Sequence, residues 1–220
     1  MANMNLILFG GGGFAVEIIS YLKDDLNADI FGIIDPNKDC EACAYFPDIK
    51  HIGEINSFVV KKNDIGLICL GSPIRRTSAF KEAKEMGLPL FTFIHSTASV
   101  SSSAEVEEGV IIGPHSFISA NAHIKKNVTV NAFCGVGHGS TIGSHSVLSP
   151  QSMINGDCNI GEGVMLGSRT TLLPKTKIGN YSTIDAGCII RKDIPNFSMV
   201  SQRIDGKIIE DRIIKKKISG

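Results

Sequence analysis

The segment 142–166, IGSHSVLSPQSMINGDCNIGEGVML, carries an aliphatic residue at every sixth position. The same spacing continues in both directions without a miss, over sixteen positions in all. They are Val100, Val106, Ile112, Ile118, Ile124, Val130, Val136, Ile142, Leu148, Ile154, Ile160, Leu166, Leu172, Ile178, Ile184 and Ile190. A period of six fits neither a helix nor an alternating strand, and it is typical of parallel β-helices.

A second column follows four residues after each aliphatic one and holds mostly small or β-branched residues. Its members are Ala104, Val110, Ser116, Ala122, Val128, Cys134, Ser140, Ser146, Ser152, Cys158, Val164, Thr170, Thr176, Ser182 and Cys188. Short side chains there can fill a tight corner. Each hexad therefore predicts one short strand plus a corner, and three hexads make one triangular turn. The sixteen hexads predict about five turns, on the order of 25 Å tall at roughly 4.8 Å per stacked strand.

The position directly after the aliphatic residue is often Gly or Asn, as at Gly113, Asn131 and Gly143. These residue types tolerate a positive φ better than others. We therefore expect the left-handed backbone of each corner at that position.

The residues before the repeats predict a small α/β unit. The apolar run Asn5–Phe9 precedes four glycines at positions 10–13, and residues 16–22 have helical apolar spacing. Strand, glycine turn and helix in this order open a mononucleotide-binding βαβ unit. A second strand, Ile30–Ile34, ends at Asp35, where such folds place an acidic residue on a ribose hydroxyl.

A third strand, residues 65–70, ends at Gly71 and Ser72, and residues 74–86 predict a helix starting near Pro73. Strand ends of this kind form a ligand crevice at one edge of a parallel sheet. The alternative is a glycine turn that only lets the helix pack on the strand. About 90 residues precede the repeats, too few for a full dinucleotide fold, so a nucleotide-linked small molecule fits better than NAD.

These patterns divide the chain into three parts. Residues 1–94 form the α/β unit, whose last strand is expected at residues 90–94, and residues 95–200 form the β-helix, entered near His95. The period stops after Ile190, and residues 201–220 predict a charged, solvated tail.

Composition and charge exclude several classes of protein. Lys+Arg and Asp+Glu number 22 each, so bulk charge indicates neither nucleic acid nor a membrane surface as a partner. The beginning of the chain, MANMNLILFGGGG, lacks the basic region and the apolar length of a signal peptide, and no stretch is long enough to span a bilayer. We expect a cytoplasmic protein whose six cysteines are thiols.

The cysteines offer little chemistry. Cys134, Cys158 and Cys188 fall in the small-residue column, which predicts buried corner fillers and disfavours a covalent acyl-cysteine route. Cys40 and Cys43 form a lone C-x-x-C in a polar loop, without a second pair at zinc spacing.

Four histidines lie in the repeats, at positions 115, 123, 138 and 145. Stacked side chains recur every 18 residues, and no two of these histidines differ by a multiple of 18, so one column cannot supply a metal site. We expect no metal cofactor. His138 is the strongest candidate for chemistry because Gly137 and Gly139 flank it and leave room for a substrate.

Taken together, the hexads, residues 8–13, Asp35, residues 71–75 and residues 131–138 resemble the bacterial sugar O-acyltransferases of the sialic acid O-acetyltransferase type. Within that family the chain is most similar to nucleotide-aminosugar N-acetyltransferases, which act on 4-amino-4,6-dideoxyhexoses in the synthesis of surface glycans such as the lipopolysaccharide O-antigen. The resemblance covers nearly the whole chain up to about Met199. It implies a left-handed β-helix and a homotrimer with three active sites at subunit interfaces.

The resemblance also implies the ligands and their sites. Acetyl-CoA, as co-substrate, would lie in the groove between neighbouring β-helices, and the N-terminal domain would hold the nucleotide-linked amino sugar. His138 would be the catalytic base, Asn131 would lie near the acetyl group, and the Gly156 N–H would meet the thioester oxygen. Ser168, Ala186 and Gly187 would line the pantetheine path, and Gly12, Gly13, Asp35 and Arg75 would contact the nucleotide-sugar.

The sequence departs from this family in four places. Gly139 follows His138 where relatives usually carry Asp or Glu, so a carboxylate that orients the imidazole must come from elsewhere or be absent. Phe14 and Ala15 replace a common His-Gly, Val147 replaces a second histidine of some relatives, and residues 199–204 replace a Gly-Asn-Pro-Ala ending.

The substitution at Gly139 bears on the acceptor. An amine is a better nucleophile than a hydroxyl and needs less help from its base, so the change favours N-acetylation. The alternatives are O-acetylation of sialic acid or a related sugar, and a non-catalytic scaffold that binds a nucleotide-sugar.

Overall fold

A computed structural model describes residues 4–201 of the chain. The N-terminal unit is a parallel sheet of β1 (Asn5–Phe9), β2 (Ile30–Ile34) and β3 (Asp64–Ile68), in the order β2-β1-β3. Its helices are α1 (Gly13–Leu26), α2 (Glu41–Tyr45) and α3 (Pro73–Glu85), with a 3₁₀ turn at Ile55–Ser57. The predicted strands and both long helices are confirmed, with β3 ending earlier and α1 running further than expected.

The sheet is covered on both faces because the side chains of β1 alternate. Leu6 and Leu8 pack in the core that contains α1, whereas Ile7 and Phe9 pack with Ala79 and Ala83 of α3. This burial on both sides explains why the strands read as continuous apolar runs rather than alternating ones.

The rest of the described chain is a parallel β-helix of three faces, consistent with the left-handed β-helix expected of hexapeptide repeats. Face 1 contains β4 (Phe93–Ile94), β7 (Ile111–Ile112), β10 (Thr129–Val130), β13 (Val147–Leu148), β16 (Met165–Leu166), β19 (Thr183–Ile184) and β21 (Met199–Val200). Face 2 contains β5 (Ser99–Val100), β8 (Phe117–Ile118), β11 (Gly135–Val136), β14 (Met153–Ile154), β17 (Thr171–Leu172) and β20 (Ile189–Ile190). Face 3 contains β6 (Glu105–Val106), β9 (His123–Ile124), β12 (Thr141–Ile142), β15 (Asn159–Ile160) and β18 (Lys177–Ile178).

Three corners join these faces. Corner 1–2 lies between faces 1 and 2 and includes residues 131–134, 149–152, 167–170 and 185–188. Corner 2–3 includes residues 119–122, 137–140, 155–158 and 173–176, and corner 3–1 includes residues 125–128, 143–146, 161–164 and 179–182.

Both predicted columns face the interior of the β-helix. The aliphatic column forms one continuous core, and Cys134, Cys158 and Cys188 are buried at the corners as expected. Serine is tolerated in the buried small-residue column because its hydroxyl forms hydrogen bonds to the backbone of the next coil. Ser116 Oγ donates to Asn131 O at 2.7 Å and accepts from Cys134 N–H at 3.0 Å, so its buried hydroxyl is satisfied.

The β-helix is longer than the period predicts, with about six turns instead of five. β4 pairs with β7, so the β-helix begins at Phe93 and Ile94. The strand expected at residues 90–94 therefore does not join the N-terminal sheet as a whole, and only Leu90 forms a bridge to that sheet, at Gly66. At the other end Ile194 bridges to Ile178, and β21 pairs with β19. A corner shortened between Ile190 and Ile194 breaks the period and hides this last turn.

The expected place of the left-handed backbone is wrong. Positive φ occurs three residues after the aliphatic column, for example at Asn127, Phe133 and Asp157, and not at Gly113 or Gly143. These two glycines are required for a different reason. A Cβ on Gly143 would lie 2.3 Å from the backbone of Gly161, so the close approach of the next coil excludes a side chain.

The C-x-x-C segment is not a polar loop. Cys43 lies in the short helix α2, Cys40 immediately precedes it and is buried, and the two Sγ atoms are 3.0 Å apart. All six cysteines are free. None of the helices in residues 4–201 is long and apolar enough to cross a membrane.

The N-terminal unit packs on face 1 of the β-helix. Phe93 and Ile111 belong to the same buried cluster as α1. Next to it, the fully buried Arg76 of α3 donates to Asn127 O at 3.0 Å and to Asn127 Oδ1 at 2.6 Å, at corner 3–1. The two units are therefore joined by both apolar packing and a buried polar contact.

Candidate functional site

The predicted nucleotide-sugar residues meet in one cavity of the N-terminal unit. The cavity has a volume of about 370 Å³ and lies where β1, β2 and β3 end and where α1 and α3 begin. Gly12, Gly13, Asp35 and Arg75 all line it. The N–H groups of a helix's first turn have no partner within the helix, so two such ends favour an anionic ligand.

Asp35 shapes the wall of this cavity. Its Oδ2 accepts from the Gly11 N–H at 2.8 Å, and its Oδ1 accepts from the Asn37 N–H at 2.8 Å. A Cβ on Gly11 would lie 2.3 Å from Cys40 Sγ, whereas one on Gly12 would meet nothing within 4 Å. Gly11 is thus the glycine that packing requires, and Gly12 is open to a ligand.

Adjacent arginines have opposite environments. Arg75 is exposed at the cavity, but burial lowers the pKa of Arg76 to about 9. Arg76 Nη1 donates to Ile68 O at 2.7 Å and Leu70 O at 3.1 Å, which fixes the end of β3 at the cavity. The sequence alone did not predict the role of Arg76. Arg75 and Arg76 are adjacent arginines, and only the structure shows which of them lies on the buried face of α3.

A second cavity, of about 390 Å³, continues from the first toward the β-helix. Gly71 and Ser72 line both cavities, and Tyr181 and Gly163 of corner 3–1 line the second one. The nucleotide-binding candidate therefore opens toward face 1 and corner 3–1 of its own β-helix.

His138 lies at a different corner, corner 2–3. Its ring packs over Gly156, one coil further along, since a Cβ on Gly156 would lie 2.5 Å from His138 Nε2 and Cε1. His138 Nδ1 lies 3.8 Å from Asp157 Oδ1, and the two side chains are 71% and 51% exposed. The structure thus brings the predicted base and the predicted N–H donor together, and it adds a carboxylate that sequence reasoning did not find.

The N–H of Gly156 donates no hydrogen bond within the described residues. The coil does not need this donor, because proline occupies the equivalent corner position at residues 114, 150 and 174. An unused backbone N–H beside an imidazole can stabilise an oxyanion that develops on a bound carbonyl.

The remaining predicted residues lie at corner 1–2, across face 2 from His138. Asn131 Oδ1 accepts from its neighbour Ala132 N–H at 2.9 Å. The Ala186 N–H donates to Asp185 Oδ1 at 2.8 Å, and the Gly187 N–H donates to Ser168 O at 2.8 Å. A single chain therefore keeps Asn131, Ser168, Ala186 and Gly187 apart from both His138 and the N-terminal cavity.

The buried cysteines do not offer a nucleophile. Burial raises the pKa of the Cys134 thiol to about 12 and also raises that of Cys158. The thiolate is the reactive form of cysteine, so an acyl-cysteine route stays disfavoured. Within residues 4–201 no group of three or more His, Cys, Asp or Glu side chains is arranged to hold a metal ion.

Two segments, residues 121–156 and 157–192, match the family model described as bacterial transferase hexapeptide, six repeats. Over residues 121–192 the β-helical part of the chain is therefore similar to the hexapeptide repeats of bacterial transferases. Comparison of the chain with curated proteins finds no match.

Solved structures share the whole two-part fold. A point mutant of perosamine N-acetyltransferase from Caulobacter crescentus, in complex with CoA and GDP-perosamine, has a TM-score of 0.81 at 23% identity, covering 90% of this chain and 93% of that one. The acetyltransferase domain of PglB from Neisseria gonorrhoeae, in complex with acetyl coenzyme A, has a TM-score of 0.80 at 24% identity, with 90% and 96% coverage. WeeI from Acinetobacter baumannii has a TM-score of 0.79 at 17% identity, with 90% and 97% coverage.

Proposed function

We propose that this protein is an acetyl-CoA-dependent N-acetyltransferase that acetylates the amino group of a nucleotide-linked 4-amino-4,6-dideoxy sugar for a bacterial surface glycan. The observation that carries the proposal is the pairing of His138 with the unused N–H of Gly156 on a hexapeptide β-helix. The similar fold of perosamine N-acetyltransferase, whose structure holds CoA and GDP-perosamine, supports this choice of donor and acceptor.

In the proposed reaction the sugar amine attacks the carbonyl carbon of acetyl-CoA. The carbon–sulfur bond breaks, CoA leaves as the thiolate, and the N-acetyl sugar forms. His138 accepts the proton that the amine loses and then passes it to the thiolate, a role suited to an imidazole near neutral pH. The Gly156 N–H stabilises the oxyanion of the tetrahedral intermediate.

The proposed active unit is a homotrimer. Face 2 would carry the contact, because the N-terminal unit packs on face 1 and because Phe117 and Ile189 of face 2 are 42% and 51% exposed. Contact through face 2 would bring corner 2–3 of one subunit, with His138, near corner 1–2 of its neighbour, with Ser168 and Ala186. The N-terminal cavity, with Gly12, Gly13, Asp35 and Arg75, would hold the nucleotide-sugar.

The test of the proposed function is release of free CoA thiol from acetyl-CoA with a panel of UDP-, dTDP- and GDP-linked 4-amino sugars and with free sialic acid. We expect turnover with one nucleotide-amino sugar. Activity on sialic acid alone would replace the proposal by O-acetylation. Failure to bind acetyl-CoA would leave the non-catalytic scaffold as the explanation.

The assignment of the base has its own test. We expect His138→Ala to remove nearly all turnover, because a general base contributes about 10²–10⁴-fold. Size-exclusion chromatography with light scattering should show the same assembly as the wild type. A variant that keeps most of its rate would refute the role of His138.

A further inference from the structure

We propose that Asp157 is the positioning carboxylate of His138, supplied from the next coil of the β-helix. The inference rests on the proposed function for its catalytic meaning, but the pairing itself is a property of corner 2–3. His138 Nδ1 and Asp157 Oδ1 are 3.8 Å apart, within ion-pair distance.

The backbone fixes the two residues relative to each other. The Asp157 N–H donates to His138 O at 2.8 Å, so the two side chains leave neighbouring coils at one place. Asp157 has a φ of 60°, a left-handed conformation that aspartate tolerates better than most residues. The carboxylate is therefore held beside the imidazole by the coil geometry.

Two glycines provide the space for this pair. A Cβ on Gly139 would lie 2.4 Å from Asp157 Oδ1, and a Cβ on Gly156 would lie 2.5 Å from the His138 ring. Any larger residue at position 139 would displace the Asp157 carboxylate, and any larger residue at position 156 would displace the ring. Relatives of the resembled family usually carry an acidic residue at position 139, directly after the base. Here Gly139 has no side chain, and the space it leaves is occupied by the carboxylate of Asp157 from the next coil.

The chemistry follows from which ring nitrogen faces the carboxylate. A proton on Nδ1 points toward Asp157, which leaves the lone pair of Nε2 free to accept the proton of the attacking amine. When the imidazole becomes charged, the nearby carboxylate stabilises it, and rotation of the two side chains closes the remaining gap to a hydrogen bond. Asp157 acts through His138 and does not itself touch the substrate.

The first test is Asp157→Asn, which keeps the size and the tolerance of positive φ but removes the charge. We expect kcat to fall about 10- to 100-fold, a part of the roughly 10²–10⁴-fold that a general base contributes, with little change in KM for acetyl-CoA. The acid limb of the pH–rate profile should move to lower pH, because protonation of the imidazole is no longer favoured by the carboxylate. A purely structural role would lower the rate without moving that limb.

Lys175 provides the matched control. It is the charged residue one coil beyond Asp157 at the same corner, and its N–H donates to Gly156 O at 2.9 Å. Lys175→Gln also removes one charge, yet it should leave the acid limb where it is in the wild type. A shift of similar size but opposite direction in Lys175→Gln would show a general charge effect and would overturn the proposal.

The second test moves the carboxylate. Asp157→Gly should show the same loss as Asp157→Asn. The double variant Gly139→Asp with Asp157→Gly should recover at least about tenfold of the rate, since the carboxylate then lies directly beside the proposed base His138. Loss of activity through misfolding is detected by comparing thermal unfolding of the three variants. No recovery in a folded double variant would contradict the positioning role.

A third measurement does not need enzyme activity. The ¹⁵N chemical shifts of labelled histidine report which nitrogen of the His138 ring carries the proton. We expect the wild type to favour the Nδ1–H tautomer and Asp157→Asn to lose that preference. An unchanged tautomer would overturn the pairing, whereas a changed tautomer in a protein that acetylates no sugar would uphold the pairing and refute only the proposed function.

Discussion

Replacement of Arg76 tests the joint between the two units of the chain. The guanidinium is fully buried and donates four hydrogen bonds, to Asn127 O, Asn127 Oδ1, Ile68 O and Leu70 O. Within residues 4–201 no acidic side chain forms an ion pair with it, and its four hydrogen-bond acceptors are neutral carbonyl oxygens. Arg76→Met keeps an unbranched apolar stem and removes every one of these donors.

The expected loss of stability in Arg76→Met can be estimated from the buried oxygens that lose their hydrogen-bond donor. Asn127 is fully buried and Ile68 is 1% exposed, so water cannot replace the lost donors at their oxygens. Each unsatisfied buried acceptor costs about 1–3 kcal/mol, and relief from burying the guanidinium offsets part of that sum. We expect the free energy of unfolding to fall by about 3–5 kcal/mol, a large part of the roughly 5–15 kcal/mol that stabilises a typical domain.

Urea unfolding at one fixed protein concentration measures this change. Arg75→Met is the matched control, because Arg75 is the exposed neighbour on the same helix, and it should change stability by less than about 0.5 kcal/mol. Arg76→Lys should lie between the two, since lysine keeps the charge but not the fork of donors. If Arg76→Met unfolds within about 1 kcal/mol of the wild type, the buried hydrogen bonds do not stabilise the joint as we argue.

Three further substitutions test the site and the coil. Gly156→Ala should displace the His138 ring and reduce turnover at least about tenfold with little change in melting temperature; a fully active variant would contradict the packing of the ring on Gly156. Gly143→Ala should destabilise the protein by about 1–3 kcal/mol, because its Cβ meets backbone of the next coil; unchanged thermal unfolding would disprove that close approach. Burial lowers the pKa of His145, so as the pH falls below 6.5 the unfolded chain takes up a proton at this residue before the folded chain does, and stability is lost. In urea unfolding, His145→Gln should reduce this dependence of stability on pH. An equally steep dependence in the variant would show that other groups cause it.

The fold was predictable because its signal is local and repeated. The aliphatic residues recur at every sixth position because each side of a coil places one such residue in the same core. The signal failed at Ile194, where one corner is shortened and the count of six no longer applies. It also failed to explain glycines such as Gly143, because the contact that excludes a side chain is with a coil eighteen residues away.

The N-terminal cavity was predictable for a similar reason. Residues at the ends of parallel strands converge at one edge of the sheet, which places Gly12, Asp35 and Arg75 together without further information. Their roles in binding remain predictions. Arg76 was not predictable, because its partners lie on β3 and at Asn127 and nothing in the local sequence marks the buried side of α3.

The partner of His138 could have been found from the sequence alone. Residues eighteen positions apart stack on one another, so the residue that lies over Gly139 is Asp157. The position directly after His138 shows no carboxylate, because it is a glycine. In a β-helix, the residue one full turn away is as close a neighbour as the next residue in sequence.

The stacking at corner 2–3 also bears on how such a protein can change during evolution. An insertion of eighteen residues beyond Asp157 adds one whole turn and preserves the relation between Asp157 and His138. An insertion of six residues between them would instead carry the carboxylate to another corner and separate it from the imidazole. Whole turns added above the site therefore leave the pair intact, whereas a single hexad inserted within it would separate the two side chains.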